Sequence, residues 1–109
     1  MNVSDHAASF FFPGCEDDPE AAEDAFQRLR DAVETVDGRA ARSHRILSLA
    51  CRLGGRDCEL KVGEPDPISG EPVLGIFDMG HRRFGICTSP DGPPSQWLDK
   101  QVYSVTRFT

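Results

Sequence analysis

Four cysteines and three histidines are the residues of this 109-residue chain whose types could bind metal, carry redox chemistry or act as nucleophiles. Zinc sites that can be read from sequence are built on close pairs such as Cys-x-x-Cys. Here the nearest pair, Cys51 and Cys58, has six residues between its members, two of them the glycines of a turn signal. That is hairpin spacing. A disulfide between the two is geometrically open, because directly opposed residues on paired strands fall within bridging distance. A redox role asks for exposure and a lowered thiol pKa as well, and nothing in the surrounding residues signals either. Cys51, Cys58 and Cys87 all lie on apolar alternations, where a reduced cysteine behaves as a small hydrophobe. Cys87 with His44 or His81 as a base is the conceivable nucleophilic pair, yet no nucleophile elbow or family signature surrounds either cysteine. Gly54-Gly55 and Gly80 are turn signals and no phosphate cradle. The sequence thus predicts no catalytic residue, no metal and no cofactor.

Recognition surfaces are the stronger signal. Trp97 follows Pro93 and Pro94 in a segment that reads as a loop, which suits an exposed aromatic anchor of the kind interfaces favour. The competing reading is a Trp folded over the end of the body to shield its core. Arg82 and Arg83 sit beside His81 at a predicted hairpin tip, as a small basic patch or simply a solvated turn. Glu20 and Asp24 represent the exposed acidic face of a predicted helix.

Charge divides the chain. Residues 1–38 carry ten acids against Arg28 and Arg30, a net of −8, while residues 39–109 carry eight acids and ten bases, a net of +2. So acidic a first third disfavours general affinity for nucleic acid or for anionic membranes. A basic partner protein remains compatible with it, as does a solvated helix face that meets nothing. No apolar run reaches the length of a membrane span. Phe10-Phe11-Phe12 lacks a basic flank and is cut off by Pro13-Gly14, which is unlike a secretory signal. The expected setting is cytoplasmic, with reduced thiols.

The elements that must position these residues follow from periodicity. Residues 1–17 read as an irregular lead-in, with Ser9 to Phe12 docked on the body or added as an edge strand, since three exposed Phe would be hazardous. Residues 18–37 read as a helix with Asp18 as cap, Pro19 in the first turn and Gly38 as the stop. Its apolar stripe is Ala22, Phe26, Leu29, Val33 and Val36. The basic stretch Arg39 to Arg45 is an extra helical turn or a connector. From Ile46 the period becomes two. A hairpin on Gly54-Gly55 pairs Cys51 with Cys58, Leu49 with Leu60 and Leu47 with Val62. Residues 64–72, rich in proline, form a surface loop. Val73 to Met79 and Arg83 to Thr88 are strands around Gly80-His81, with Phe77 facing Phe84, Asp78 facing Arg83, Gly75 facing Ile86 and Gly85 facing Ile76. Residues 89–100 form another loop, and Val102 to Phe108 a last strand.

Residues 45–109 also resemble small uncharacterised bacterial proteins. The residues that carry the likeness are Arg45-Ile46-x-Ser48-Leu49, Val62-Gly63-Glu64-Pro65, Val73-Leu74-Gly75-Ile76-Phe77, Ile86-Cys87-Thr88 and Ser104-Val105-Thr106-x-Phe108. It implies a compact β-rich domain and assigns no residue a role.

The chain is therefore expected to form a single α+β domain over residues 1–109. One N-terminal amphipathic helix would pack on a curled antiparallel sheet, or on a small SH3-like barrel, of about five strands within residues 46–109. The expected function is a non-enzymatic protein-interaction module. The alternatives are an acidic decoy that occupies a nucleic-acid-binding protein and a small thiol-dependent enzyme.

Overall fold

A computed structural model describes residues 9–42 and 45–107. The helix is where its capping residues put it. Helix α1 runs Pro19–Asp37, the Asp18 carboxylate accepts from the Ala21 N–H at 3.0 Å, and Gly38 ends it in the left-handed conformation (φ 78°). Gly38 N–H then closes on the Glu34 carbonyl at 2.8 Å, satisfying one of the last orphan acceptors. Phe26, Leu29 and Val33 are buried, with Ala25 beside them. Each large apolar side chain so buried stabilises the fold by at most roughly 1.5–3 kcal/mol. Val36, expected on the same stripe, is 57% exposed. The buried apolar stripe ends at Val33.

Six strands follow: β1 Ile46–Leu53, β2 Arg56–Lys61, β3 Gly75–Asp78, β4 Arg83–Cys87, β5 Gln96–Asp99 and β6 Val102–Arg107. They form two antiparallel three-stranded sheets, ordered β2-β1-β6 and β3-β4-β5. The β1–β2 hairpin has the expected register, Cys51 opposite Cys58 and Leu49 opposite Leu60. Val62 N–H donating to the Leu47 carbonyl at 3.1 Å continues it. Strand β1 is shared between two partners and is irregular against β6, with register shifts at Ile46/Ser48 and Ala50/Cys51. Such irregularities bend a strand and sharpen its twist.

Two expectations about the strands need correction. The segment 89–100 is no mere loop, because Gln96–Asp99 pairs with β4 and raises the strand number to six. Its prolines stop at Pro94, just before the paired residues. The β3–β4 register is one residue off the expected one: Phe77 faces Gly85, Asp78 faces Phe84, Ile76 faces Ile86 and Gly75 faces Cys87. The cause is the turn. Gly80, His81 and Arg82 all have positive φ (82°, 53° and 60°), and Met79 N–H bonds to the Arg83 carbonyl at 2.9 Å, so three residues loop out. A one-residue shift exchanges faces along the whole strand, and it sends Phe77 and Phe84 to opposite sides of the sheet. Of the two readings left open for the stretch after the helix, the connector is the one found: Arg42 N–H donates to the Asp78 carbonyl at 2.8 Å as an isolated bridge. Phe108, expected in the last strand, lies outside the described residues.

Both faces of β3-β4-β5 are covered, which is why its sequence shows no polar alternation. On one face Phe77, Met79 and Cys87 pack with Phe26, Leu29 and Val33 of the helix. On the other, Ile76, Phe84, Ile86 and Leu98 meet Ile46, Leu49, Cys51 and Leu60 of the second sheet. Two glycines on the helix side allow aromatic rings to reach the backbone. A Cβ on Gly75 would lie 1.8 Å from the Phe10 ring, and one on Gly85 would lie 3.1 Å from the Trp97 ring. Phe10 is thereby seated against Phe26 and Phe77, with ring centroids 5.1 and 4.7 Å away. Phe11 N–H donates to the Leu74 carbonyl at 2.7 Å. The aromatic lead-in is docked on the body, as expected, by one backbone bond and two rings and without becoming a strand.

The 64–72 segment is mostly exposed but contains a buried carboxylate that nothing in its proline-rich composition announces. Asp66 is fully buried, accepting from Ile68 N–H at 2.8 Å and from Gln96 Nε2 at 2.7 Å. It ties this loop to β5.

Candidate anion-binding cleft

The residues singled out in the sequence separate in space. Arg82 and Arg83, neighbours in the chain, point into different surroundings. Arg83 Nε donates to Asp37 Oδ1 at 2.8 Å, and its guanidinium carbon lies 4.5 Å above the Trp97 ring centroid. Trp97 is itself half-buried on β5 and packed on the helix-side core. Its location on a strand corrects the expected loop, and the competing reading of a Trp that shields the core describes its packing. Arg83 and Trp97 thus form one clamp that holds the end of α1. Glu20 and Asp24 are exposed on the outer face of the helix.

Arg82 goes to the other side of the turn, where its guanidinium donates to the Val102 carbonyl. There it lines a polar cleft of about 280 Å³ together with Arg42, Arg107 and His81. The cleft is made by three separate pieces of chain: the connector after α1, the β3–β4 turn and strand β6. The left-handed turn brings His81 and Arg82 to the rim, while the Arg42–Asp78 backbone bridge fixes the connector beside it. At the floor, buried Asp78 accepts from Gly80 N–H at 2.8 Å through Oδ1, and Arg107 Nη2 lies 3.5 Å from Oδ2. Arg42 packs over Gly80, its Nη2 3.2 Å from where a Cβ would stand.

Three arginines thus line one cleft with a single carboxylate in a protein whose overall charge is −6. The local surplus is positive, and guanidinium is the side-chain group best shaped to take carboxylate or phosphate oxygens in pairs. The sequence revealed Arg82 and His81 as a patch but paired them with Arg83. Arg42 and Arg107, 65 residues apart in the chain, carry no sequence signal that they would join it.

The thiols divide similarly. Cys87 is buried at the end of β4 opposite to the His81 turn, and burial pushes its thiol up to about 12. A strand of five residues spans roughly 15 Å or more, so the structure does not bring His81 to Cys87. His44, the other partner considered, lies outside the described residues. Cys51 and Cys58 do meet, sulfur to sulfur at 3.6 Å, both reduced. Among the described residues no three His, Cys, Asp or Glu side chains converge as a metal-binding group, and no helix is long and apolar enough to cross a membrane.

No family model, curated protein or solved structure matches the chain.

Proposed function

We propose that this protein is a small interaction module that engages a partner protein by taking an acidic segment of that partner into the Arg42–Arg82–Arg107 cleft. The observation that carries the reading is that these three arginines, from distant parts of the chain, line one cleft that holds a single buried carboxylate. Asp78 organises the floor through Gly80 N–H and Arg107, leaving a positive excess at the exposed rim. The cleft is shallow and bordered by β6, the outer strand of its sheet, a shape suited to an extended peptide more than to an enclosed metabolite. In this reading the two sheets act as a small curled, barrel-like scaffold with the helix laid across one face. The specificity lies at the rim of that scaffold.

The acidic helix supports a decoy function less well. Glu34 binds Arg30 at 3.2 Å and the Ala41 N–H at 2.7 Å, Asp37 binds Arg83 and Arg39, and Asp18 caps the helix. Those acids are occupied in holding the fold, so the helix presents only a partial set, with Glu20, Asp24 and Asp31 exposed.

Affinity capture from the protein's own host, comparing the wild type with Arg42→Glu/Arg82→Glu, tests the reading. A partner recovered by the wild type, cross-linked next to an Asp/Glu-rich segment and lost with the charge-reversed variant, is the expected result. Equal recovery by both proteins would remove the cleft from the account.

A further inference from the structure

Independently of the basic cleft, we infer that Cys51 and Cys58 form a thiol–disulfide exchange site, open to low-molecular-weight disulfides at Cys58 and resolved internally by Cys51. Three observations carry it. The two residues are directly opposed on β1 and β2, a placement within the Cα range of a disulfide. Their sulfurs already lie 3.6 Å apart, so side-chain rotation alone must bring them into bonding distance. The two thiols also differ in access: Cys51 is fully buried, whereas Cys58 is half-buried and lines an open cleft of about 430 Å³. Leu53, Pro67 and Ile68 give that cleft apolar walls, and Arg56 and Asp57 supply one charge of each sign. A small peptidic disulfide such as glutathione disulfide offers groups complementary to both.

The steps balance as follows. The Cys58 thiol gives its proton to solvent, and its sulfur attacks one sulfur of the small disulfide. A Cys58–small-thiol mixed disulfide forms, and the first small thiolate leaves and takes up a proton. Cys51 then loses its proton and attacks the Cys58 sulfur, and the second small thiolate departs as a thiol. The two protein thiols are oxidised by two electrons, and one small disulfide is reduced to two thiols. Burial, above all, pushes the Cys51 thiol up to about 12, with the hydrogen bond to Cys58 adding to it. Cys51 therefore does not initiate, and the resolving step accelerates with pH. The product is a staple across the β1–β2 hairpin that withdraws the Cys58 thiol from the cleft floor.

The test is to incubate the folded protein with glutathione disulfide in mildly alkaline buffer, quench with an alkylating agent and map the peptides by mass spectrometry. The expected wild-type product is a Cys51–Cys58 cross-link, preceded by a glutathione adduct at Cys58 that persists longer at neutral pH. Cys51→Ser should trap the adduct at Cys58, and Cys58→Ser should leave Cys51 unmodified. Far-ultraviolet circular dichroism confirms that each variant is folded. Absence of both cross-link and Cys58 adduct in the folded protein would overturn the proposal. So would a Cys51 adduct in folded Cys58→Ser, since Cys51 would then react directly.

Discussion

Arg83 Nε lies 2.8 Å from Asp37 Oδ1, joining the last residue of the helix to the first residue of β4 across 46 positions of sequence. A carboxylate at a helix C-terminus faces the negative end of the helix dipole and is unfavourable alone. Asp37 is also almost fully withdrawn from water, its side chain 3% exposed. Arg83 and Arg39 offset both costs, with Arg39 at 3.4 Å. By lying over Trp97, the same guanidinium makes one contact network of α1, β4 and β5.

Arg83→Ala is therefore expected to destabilise the fold by about 1–3 kcal/mol, as a buried polar group losing its partner does. The value is held down by Arg83 being partly solvated, with its side chain 30% exposed. Arg83→Lys should recover little of the loss, because an ammonium cannot stack its plane on Trp97 while donating to Asp37. Urea denaturation of the single and double variants with Asp37→Ala would measure the coupling, and additive losses would refute it.

The aromatic seats on the sheet give a graded expectation. Gly85→Ala places a methyl 3.1 Å from Trp97 and Pro94, which must shift slightly, at a cost of about 1–3 kcal/mol. Gly75→Ala places one 1.8 Å from the Phe10 ring, which no small adjustment accommodates. That ring should leave its seat against Phe26 and Phe77. Limited proteolysis should then cut the lead-in near residues 9–17 in Gly75→Ala well before Gly85→Ala.

How far these features could be read in advance depended on whether local residues determine them. The helix limits were legible because Asp18, Pro19 and Gly38 act on their own backbone neighbours. The β1–β2 register was legible because Gly54-Gly55 fixes a short turn between clean alternations. The β3–β4 register was not, since His81 and Arg82 adopt positive φ without being glycine, and Arg82 is held by a carbonyl on β6. Likewise β5 hid behind Pro93-Pro94, and the close seat of Trp97 on Gly85 is a tertiary contact that no local pattern announces. The candidate cleft was half visible: its turn residues showed, while Arg42 and Arg107 join them only through tertiary folding.

Asp66 is the clearest buried polar anchor of the loops. Asp66→Ala should orphan the Ile68 N–H and Gln96 Nε2 and cost about 1–3 kcal/mol or more. Asp66→Asn, able to keep one acceptor and meet the Gln96 amide, should cost less. Thermal melts of the two variants would check the ranking, and equal losses would contradict it.

Alkaline pH supplies a further expectation. The thiols of Cys51 and Cys87 are raised from 9.0 to about 12, chiefly by burial. Between these values the unfolded chain has released protons that the folded chain keeps. Stability should therefore fall as pH rises, by at most about 1.4 kcal/mol per pH unit for each thiol. Below pH 9 the contribution is fully present. Urea midpoints followed across this window should decline in the wild type and less steeply in Cys87→Ala measured against its own neutral value. An identical slope in that variant would show that Cys87 does not contribute.

The central claim concerns the guanidinium cleft, and a titration reads it most directly. An Asp/Glu-rich peptide added to isotope-labelled protein should give saturable shifts in the amide resonances of Gly80, His81, Arg82 and Val102–Arg107. Arg42→Glu/Arg82→Glu should weaken binding by about tenfold or more, equivalent to about 1.4 kcal/mol, and added salt should weaken it in the wild type. Shifts that avoid these residues, or an affinity unchanged by the charge reversal, would contradict the account.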